Sequence, residues 1–278
     1  MKIFLTGGTG FIGKNFIKIA SQAHCYIYAV SRKKNNTSVK NVKWIKGRIG
    51  NDWKKYLKKS DVLIHLAAEG VVKKNISLNK CFKLNVNESL KLLSNAYDAG
   101  CLNWIIIGSS SEYGKTLSKN KPISKDDELK PIDNYSTSKM ILGKIALNLS
   151  KQWGVKLLYF RLFPVYGDGE NKNRLIPLLK DASKNNKNFY LKNPHASIDY
   201  SNVKDVCKKI LIACKFESKS RIYPQSWHLA SGKKTTIKKF VAKQWKLMNA
   251  KGKIIYSEKI NKNVLHHISD KKSIWTNK

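Results

Sequence analysis

Tyr135 and Lys139, in "YSTSK", are the pair in this chain best suited to moving a proton. Residues four apart on a helix share a face, so the ammonium stands beside the phenol and draws its pKa towards a useful range. The stretch "WIIIGSSSEYGK", residues 104–115, adds a second cluster: an apolar strand runs into Ser109, Ser110, Ser111, Glu112 and Tyr113. A hydroxyl at a strand end is placed to meet a substrate oxygen, although serine and glycine are also ordinary turn residues. The third feature is "TGGTGFIG", in which Gly8, Gly10 and Gly13 satisfy G-x-G-x-x-G. Between a strand and a helix, that spacing serves a tight turn, close approach of a pyrophosphate and helix–strand packing. The helix start adds N–H groups and a positive dipole end. Gly7, Gly8, Gly10, Phe11, Ile12 and Gly13 are therefore expected to bind a dinucleotide.

The ribose end of this pattern departs from the usual one. A site for NAD normally has an acidic residue about twenty positions on, bonded to the ribose 2′-OH. Here no Asp or Glu precedes Asp52. The second apolar segment ends instead in "YAVSRKK", which offers Ser31 and Arg32. A guanidinium there suits a 2′-phosphate through charge-assisted, fork-like bonds. NADP(H) is the favoured cofactor and NAD(H) the alternative.

Hydrophobic periodicity supplies the scaffold for these residues. Apolar strands are predicted at 2–6, 25–30, 42–45, 61–66, 104–107 and 155–160. Helical spacing falls between them, at 11–23, 51–58, 79–99 and 135–153, with Gly100 and Gly154 as stops. Continuous apolar strands separated by helices imply a parallel sheet covered on both faces. Later helices are predicted at 174–183, 203–214 and 235–248, around short strands such as "SWHLA". The expected fold is α/β: a Rossmann-type doubly wound parallel sheet with a small C-terminal α+β substrate cap. Residues 1–165 form the first domain, with 203–230 returning to it, and 166–278 form mainly the cap.

Composition narrows the classes further. With 42% hydrophobic and 10% aromatic residues the chain reads as a folded globular protein. It has no apolar run long enough for a membrane span, and "MKIFLTGGTGFIG" is not a secretory signal. The five cysteines form no C-x-x-C pair, which points to small buried thiols in a reducing, cytoplasmic setting. Fifty-four Lys and Arg against eighteen Asp and Glu give a net charge of +36. The lysines are spread along the chain rather than gathered in an arm, so a nucleic-acid partner is not expected despite the charge.

In order along the chain, "TGGTGFIG", "DVLIHLAA", "LNVNESLKLL", "GSSSEYG", "YSTSK", "FRLFPVYGDGE" and "WHLASGKKTT" give it a family resemblance. The chain resembles an extended short-chain dehydrogenase/reductase of the nucleotide-sugar epimerase/dehydratase type. The resemblance implies that Tyr135 donates or accepts the proton, while Lys139 binds the nicotinamide ribose and tunes it. It implies that Leu66, Ala67 and Ala68 line the cofactor groove, after His65, and that the backbone at Phe163 and Val165 borders the nicotinamide. Asn85 matches a recurring helix position near the active site. It also implies a homodimer built through the two long helices. A Ser or Thr just past the fifth strand is expected to hydrogen-bond the reacting sugar oxygen. Counting from the strand end selects Ser110, the assignment adopted; counting back from Tyr113 selects Ser109, and Ser111 is the other alternate.

The reaction is read on the same basis. Dehydratases of this type use an acid just after that hydroxyl to remove a ring proton, and "SSE" at 110–112 resembles one such pattern. Glu112 is thus either a substrate-facing acid or a solvated turn residue. Ser111, Glu112 and Arg174 are taken as substrate-binding, Arg174 as a holder of diphosphate. Three departures from the family pattern bear on the substrate pocket: Ile198 stands where an arginine is usual, Pro164 replaces an Asn, and Gly47-Arg48 replaces Gly-Asp. The chain also ends short of the helix that usually completes the cap. The segment "VYGDGENKNRLIP" resembles a subgroup acting on CDP-linked dideoxyhexoses in surface-polysaccharide pathways, whose members reduce a 4-keto sugar with NADPH. The expected activity is reduction of a 4-keto-deoxysugar nucleotide. The alternatives are a 4-epimerase or 4,6-dehydratase, and, in another class, a non-catalytic or RNA-binding member of the same fold.

Overall fold

The computed structural model describes residues 1–33, 38–71, 76–119, 121–215, 225–257 and 265–276. Its first half alternates strand and helix: β1 (Lys2–Thr6), α1 (Phe11–Gln22), β2 (Tyr26–Ser31), β3 (Val42–Lys46), α2 (Lys54–Leu57) and β4 (Val62–His65). The strands are apolar and buried almost throughout, as a sheet covered on both faces requires. Next come α3 (Leu78–Phe82), a π-helical turn (Lys83–Glu88), α4 (Ser89–Asp98), β5 (Asn103–Ser109), α5 (Asn134–Gln152) and β6 (Lys156–Leu162). The helix expected at 79–99 is therefore interrupted. The π turn contains Asn85, whose side chain bonds the loop after β4, the kind of functional placement such bulges often serve. Gly100 ends α4 with φ 74°, and Cys101 N–H closes onto the Ala96 carbonyl at 2.9 Å.

The second half contains β7 (Val165–Tyr166), α6 (Leu175–Lys184), β8 (Phe189–Leu191), β9 (Ser197–Asp199), β10 (Ser201–Asn202), α7 (Val203–Cys214) and β11 (Gln225–Leu229). It closes with β12 (Lys234–Thr236), α8 (Ile237–Leu247) and β13 (Ile254–Tyr256). The main sheet has the order β11-β6-β5-β4-β1-β2-β3, and every neighbouring pair in it is parallel. Strand order reverses between β1 and β4, which opens a crevice at the strands' carboxyl ends. One face packs on α1 and α7 through Phe16, Ile17, Val206 and Ile210. The other packs on α4 and α5 through Leu92, Leu93, Leu142 and Ala146, with Trp104 fully buried among them.

A smaller core lies in the cap, where Ile176, Leu179, Phe240 and Trp245 meet and Tyr200 stacks on Phe240 at 4.4 Å. The C-terminal residues 265–276 do not stay with that cap. Ile123 N–H bonds the Ile268 carbonyl, Trp275 N–H bonds the His228 carbonyl, and the Trp275 ring packs edge-on to Phe160 beneath the sheet. Burying Ile268 and Trp275 draws this segment back over the strands' carboxyl ends. None of the described helices is long and apolar enough to cross a membrane.

Candidate active site

The crevice holds a cavity of about 960 Å³ that runs from the glycine turn to the loop after β4. Gly7, Gly10, Phe11, Ile12 and Gly13 line one side, and Leu66, Ala67 and Ala68 the facing side. Gly7 has φ 74°, and a Cβ there would stand 2.7 Å from the Ala67 nitrogen. A Cβ on Gly13 would collide with the Gly7 carbonyl oxygen. The glycines that geometry demands are thus Gly7 and Gly13, with Gly10 beside the Gly7 carbonyl between them. Gly8, expected to line the cavity, instead turns towards Ile17 and Trp44 and packs the helix on the sheet. The positive φ moves the turn one residue earlier than the G-x-G-x-x-G reading assigns it.

At its other end the cavity reaches Ser31, Arg32, Gly47 and Arg48, where Gly47 N–H bonds the Ser31 carbonyl at 2.9 Å. Two arginines therefore share the rim at the ends of β2 and β3. The carboxylates in the lining, Glu69 and Glu88, come from the loop after β4 and the π turn rather than from the end of β2. A glycine turn with no room for side chains, opening α1 beside an elongated cavity with cationic rims, fits a dinucleotide. Among the described residues no cluster of His, Cys, Asp and Glu could hold a metal ion.

Tyr135 and Lys139 stand on successive turns of α5, whose first turn is fixed by a capping box between Asp133 and Ser136. The cavity's end is joined to them through Asn85. Its side chain accepts from Glu69 N–H at 2.8 Å and donates to the Glu69 carbonyl and to Ser138 Oγ, each at 2.9 Å. Ser138 in turn donates to the Tyr135 carbonyl. Burial pushes the Tyr135 phenol well above its usual pKa, and hydrogen bonding with Ser109 draws it part of the way back. Burial brings Lys139 down to about 8, opposed by the charge of Glu112. Beneath them His65 is buried between Thr6 Oγ1 (2.6 Å) and Ser89 Oγ (2.9 Å). Burial and the neighbouring Lys139 cation push its pKa down to about 3, so it packs as a neutral ring.

The serine turn resolves into separate tasks. Ser109 ends β5 and caps the short 3-10 turn Ser110–Tyr113, and its hydroxyl is the one that acts on Tyr135. Ser111 Oγ lies 2.7 Å from Ser109 Oγ. Ser110, the residue selected from the sequence, turns the other way, and its Oγ lies 2.9 Å from His267 Nδ1. The count back from Tyr113 thus matches the geometry better than the count from the strand end.

Glu112 is neither substrate-facing nor solvated. It is 0% exposed; Oε1 accepts from Ser109 N–H at 2.7 Å and from the Tyr159 hydroxyl at 2.8 Å. Its Oε2 accepts from Arg161 Nε at 3.0 Å. The expectation that Glu112 binds substrate is corrected on this ground: the capping bond turns the side chain back under the strand end, where Arg161 neutralises it. Arg161 continues the network to Tyr113, whose hydroxyl lies 2.6 Å from His228 Nε2.

Arg174 caps α6, half exposed, and its Nε lies 3.5 Å from Glu170 Oε1. Phe163 and Val165 do not line the large cavity; their side chains are buried, Phe163 against His228 and Val165 in the sheet core. Sequence reasoning missed Arg161, His228 and His267. No motif announces them, because each becomes relevant through contacts made far away in the chain.

The family model for the NAD dependent epimerase/dehydratase family matches residues 3–224. The chain belongs to that family. Its members are nicotinamide-dinucleotide-dependent enzymes of nucleotide-sugar chemistry. Among family relatives, the UDP-glucose 4-epimerase of Lactobacillus helveticus is 27% identical over 79% of this chain and 74% of its own length. The dTDP-4-dehydro-6-deoxyglucose reductase of Escherichia coli is 24% identical over 94% of this chain and 86% of its own. The epimerase/dehydratase fold is equally clear in the solved UDP-N-acetylglucosamine 4-epimerase of Methanobrevibacter ruminantium M1. That structure superposes with a TM-score of 0.85 at 23% identity, over 97% of this chain and 89% of the other.

Proposed function

We propose that the chain reduces a 4-keto nucleotide sugar, with NADP(H) as its dinucleotide and Ser109, Tyr135 and Lys139 as its catalytic residues. The dinucleotide, when bound, supplies the hydride. The position of Glu112 carries the reading. A dehydratase needs an acid beside the reacting hydroxyl to remove a ring proton, and here that acid is locked under the turn on Arg161 and Tyr159. What remains facing Tyr135 is a hydroxyl, Ser109. Burial holds the phenol protonated at neutral pH, so Tyr135 is prepared to give its proton to an oxygen that gains charge. Lys139, one helical turn on, supplies positive charge beside that phenol. Ser109 orients the carbonyl oxygen through its hydroxyl.

Arg32 and Arg48 at the adenosine end support NADP(H), because two guanidinium groups on one rim suit a 2′-phosphate. The Escherichia coli relative, named as a reductase, matches nearly the whole chain. The stacked Tyr97 and Trp153, on α4 and at the end of α5, support the dimer proposed through those helices; light scattering tests it. A second reading, 4-epimerisation, is favoured by the Lactobacillus helveticus relative. NADPH consumption on a panel of 4-keto dTDP-, CDP-, GDP- and UDP-sugars separates the two. Net oxidation equal to product formed supports reduction, and sugar interconversion without net oxidation overturns it.

A further inference from the structure

The segment 265–276 is stitched into the molecule at several points. His266 N–H bonds the Leu117 carbonyl at 2.8 Å, and Ser197 N–H bonds His266 Nδ1 at 3.0 Å. Asp199 N–H bonds the His267 carbonyl at 2.7 Å, which sets His267 beside Ile198 as a short parallel bridge. Further on, Asp270 N–H bonds the Ile123 carbonyl, and Ser269 Oγ lies 2.9 Å from His228 Nδ1. The backbone on both sides of His267 is thus held, and the ring is not free to choose its place.

That place lies between two features of the site. On one side is the serine turn, with Ser110 Oγ 2.9 Å from His267 Nδ1 and Ser109 next in sequence reaching Tyr135. On the other is Arg174, whose cation acts on His267 and on Tyr200. His267 also pairs with Ile198, the position at which the sequence lacks an arginine. Its ring keeps part of its surface open, while Nδ1 is engaged by Ser110. The other ring nitrogen, Nε2, is the group left to meet a ligand.

We propose that His267 is a substrate-reading residue: its Nδ1 is fixed by Ser110, and its Nε2 hydrogen-bonds the sugar or the phosphate linked to it in a nucleoside diphosphate sugar. Position supports this. The reacting end of such a ligand belongs at Ser109 and Tyr135, and its anionic part beside a cation, which Arg174 provides. His267 stands between them. Burial brings its pKa down to about 4, with Arg174 and His266 adding to the effect, so the ring is neutral at working pH and can donate from one nitrogen while accepting at the other.

The inference rests on the proposed nucleotide-sugar substrate but not on the direction of the reaction. The test uses the full chain loaded with NADPH and three variants, His267→Ala, His267→Asn and His267→Gln. Titration calorimetry measures binding of dTDP-glucose, CDP-glucose and UDP-glucose, and NADPH affinity is measured separately. Asn places an amide near the Nδ1 position and so retains the bond to Ser110; Gln reaches the Nε2 position and retains the outward contact. The expected result is a nucleotide-sugar affinity lowered tenfold or more in the Ala and Asn variants and within threefold of wild type in the Gln variant. NADPH affinity should be unchanged in all three. If Asn binds as wild type while Gln does not, His267 only holds Ser110, and the inference is overturned. It is also overturned if all variants bind like wild type, or if the wild type binds none of the three probes. Should wild type bind a nucleotide sugar in a His267-dependent way yet oxidise no NADPH on 4-keto sugars, the inference stands and the reductase reading fails.

Discussion

Glu112→Gln is the substitution that most directly probes how the serine turn is held. The wild-type carboxylate is 0% exposed and pairs with Arg161, itself 5% exposed, at 3.0 Å. Gln keeps the volume and one acceptor for Ser109 N–H or Tyr159, but it leaves the guanidinium buried without a counter-charge. Removing one partner of a buried ion pair costs about 3–5 kcal/mol. A chain of 278 residues unfolds with an entropy of about 0.6 kcal/mol per kelvin, so Tm should fall by about 5–9 °C. Circular dichroism melts of the cofactor-free protein read this directly. A second substitution, Arg161→Met in the Glu112→Gln background, should recover part of the loss, because no unpaired charge then remains in the interior. The reasoning is refuted if Glu112→Gln lowers Tm by less than about 2 °C. It is equally refuted if the double variant is less stable than the single one. Either result would mean that water or another group already serves Arg161, and Glu112 would return as an acid available to the substrate.

Ser109→Ala should lower kcat by about a hundredfold, and Tyr135→Phe by about 10²–10⁴-fold, with NADPH affinity kept in a fluorescence titration; Ser110→Ala should leave kcat closer to wild type. Gly13→Ala should abolish dinucleotide binding, because its Cβ meets the Gly7 carbonyl, while Gly8→Ala meets only the tips of Ile17 and Trp44 and should bind within about tenfold of wild type. Arg32→Ala and Arg48→Ala should each raise KM for NADPH about tenfold or more and leave that for NADH nearly unchanged, as expected for bonds to a charged phosphate. Lys139, at about 8, loses its charge as pH rises through that value, so kcat/KM for reduction should fall on the alkaline side. Its folded value lies below the unfolded 10.5, so the unfolded chain binds more protons between the two, and this lysine makes the fold more stable as pH rises across that window. A pH–rate profile whose alkaline edge is unmoved in Glu112→Gln would contradict the electrostatic link between the two residues.

The sequence by itself determined the sheet and its ligand crevice, because these depend on local pattern. Apolar runs such as "DVLIHLAA" can only be buried strands, and a glycine turn between strand and helix has few other uses. Tyr135 and Lys139 were legible for the same reason, since helical spacing alone puts them on one face. Spacing did not decide which glycine takes the positive φ, nor which serine faces Tyr135. Both depend on a single residue of register in a turn, which flips a side chain from one direction to another. The fate of Glu112 lay further still from local pattern. It was settled by Arg161 and Tyr159 on the neighbouring strand β6, whose side chains point under the end of β5 once the two strands pair. His267 lies 157 positions from the serine it touches. A buried polar group must find its partner wherever the packed chain supplies one, and only the tertiary structure decides where that is.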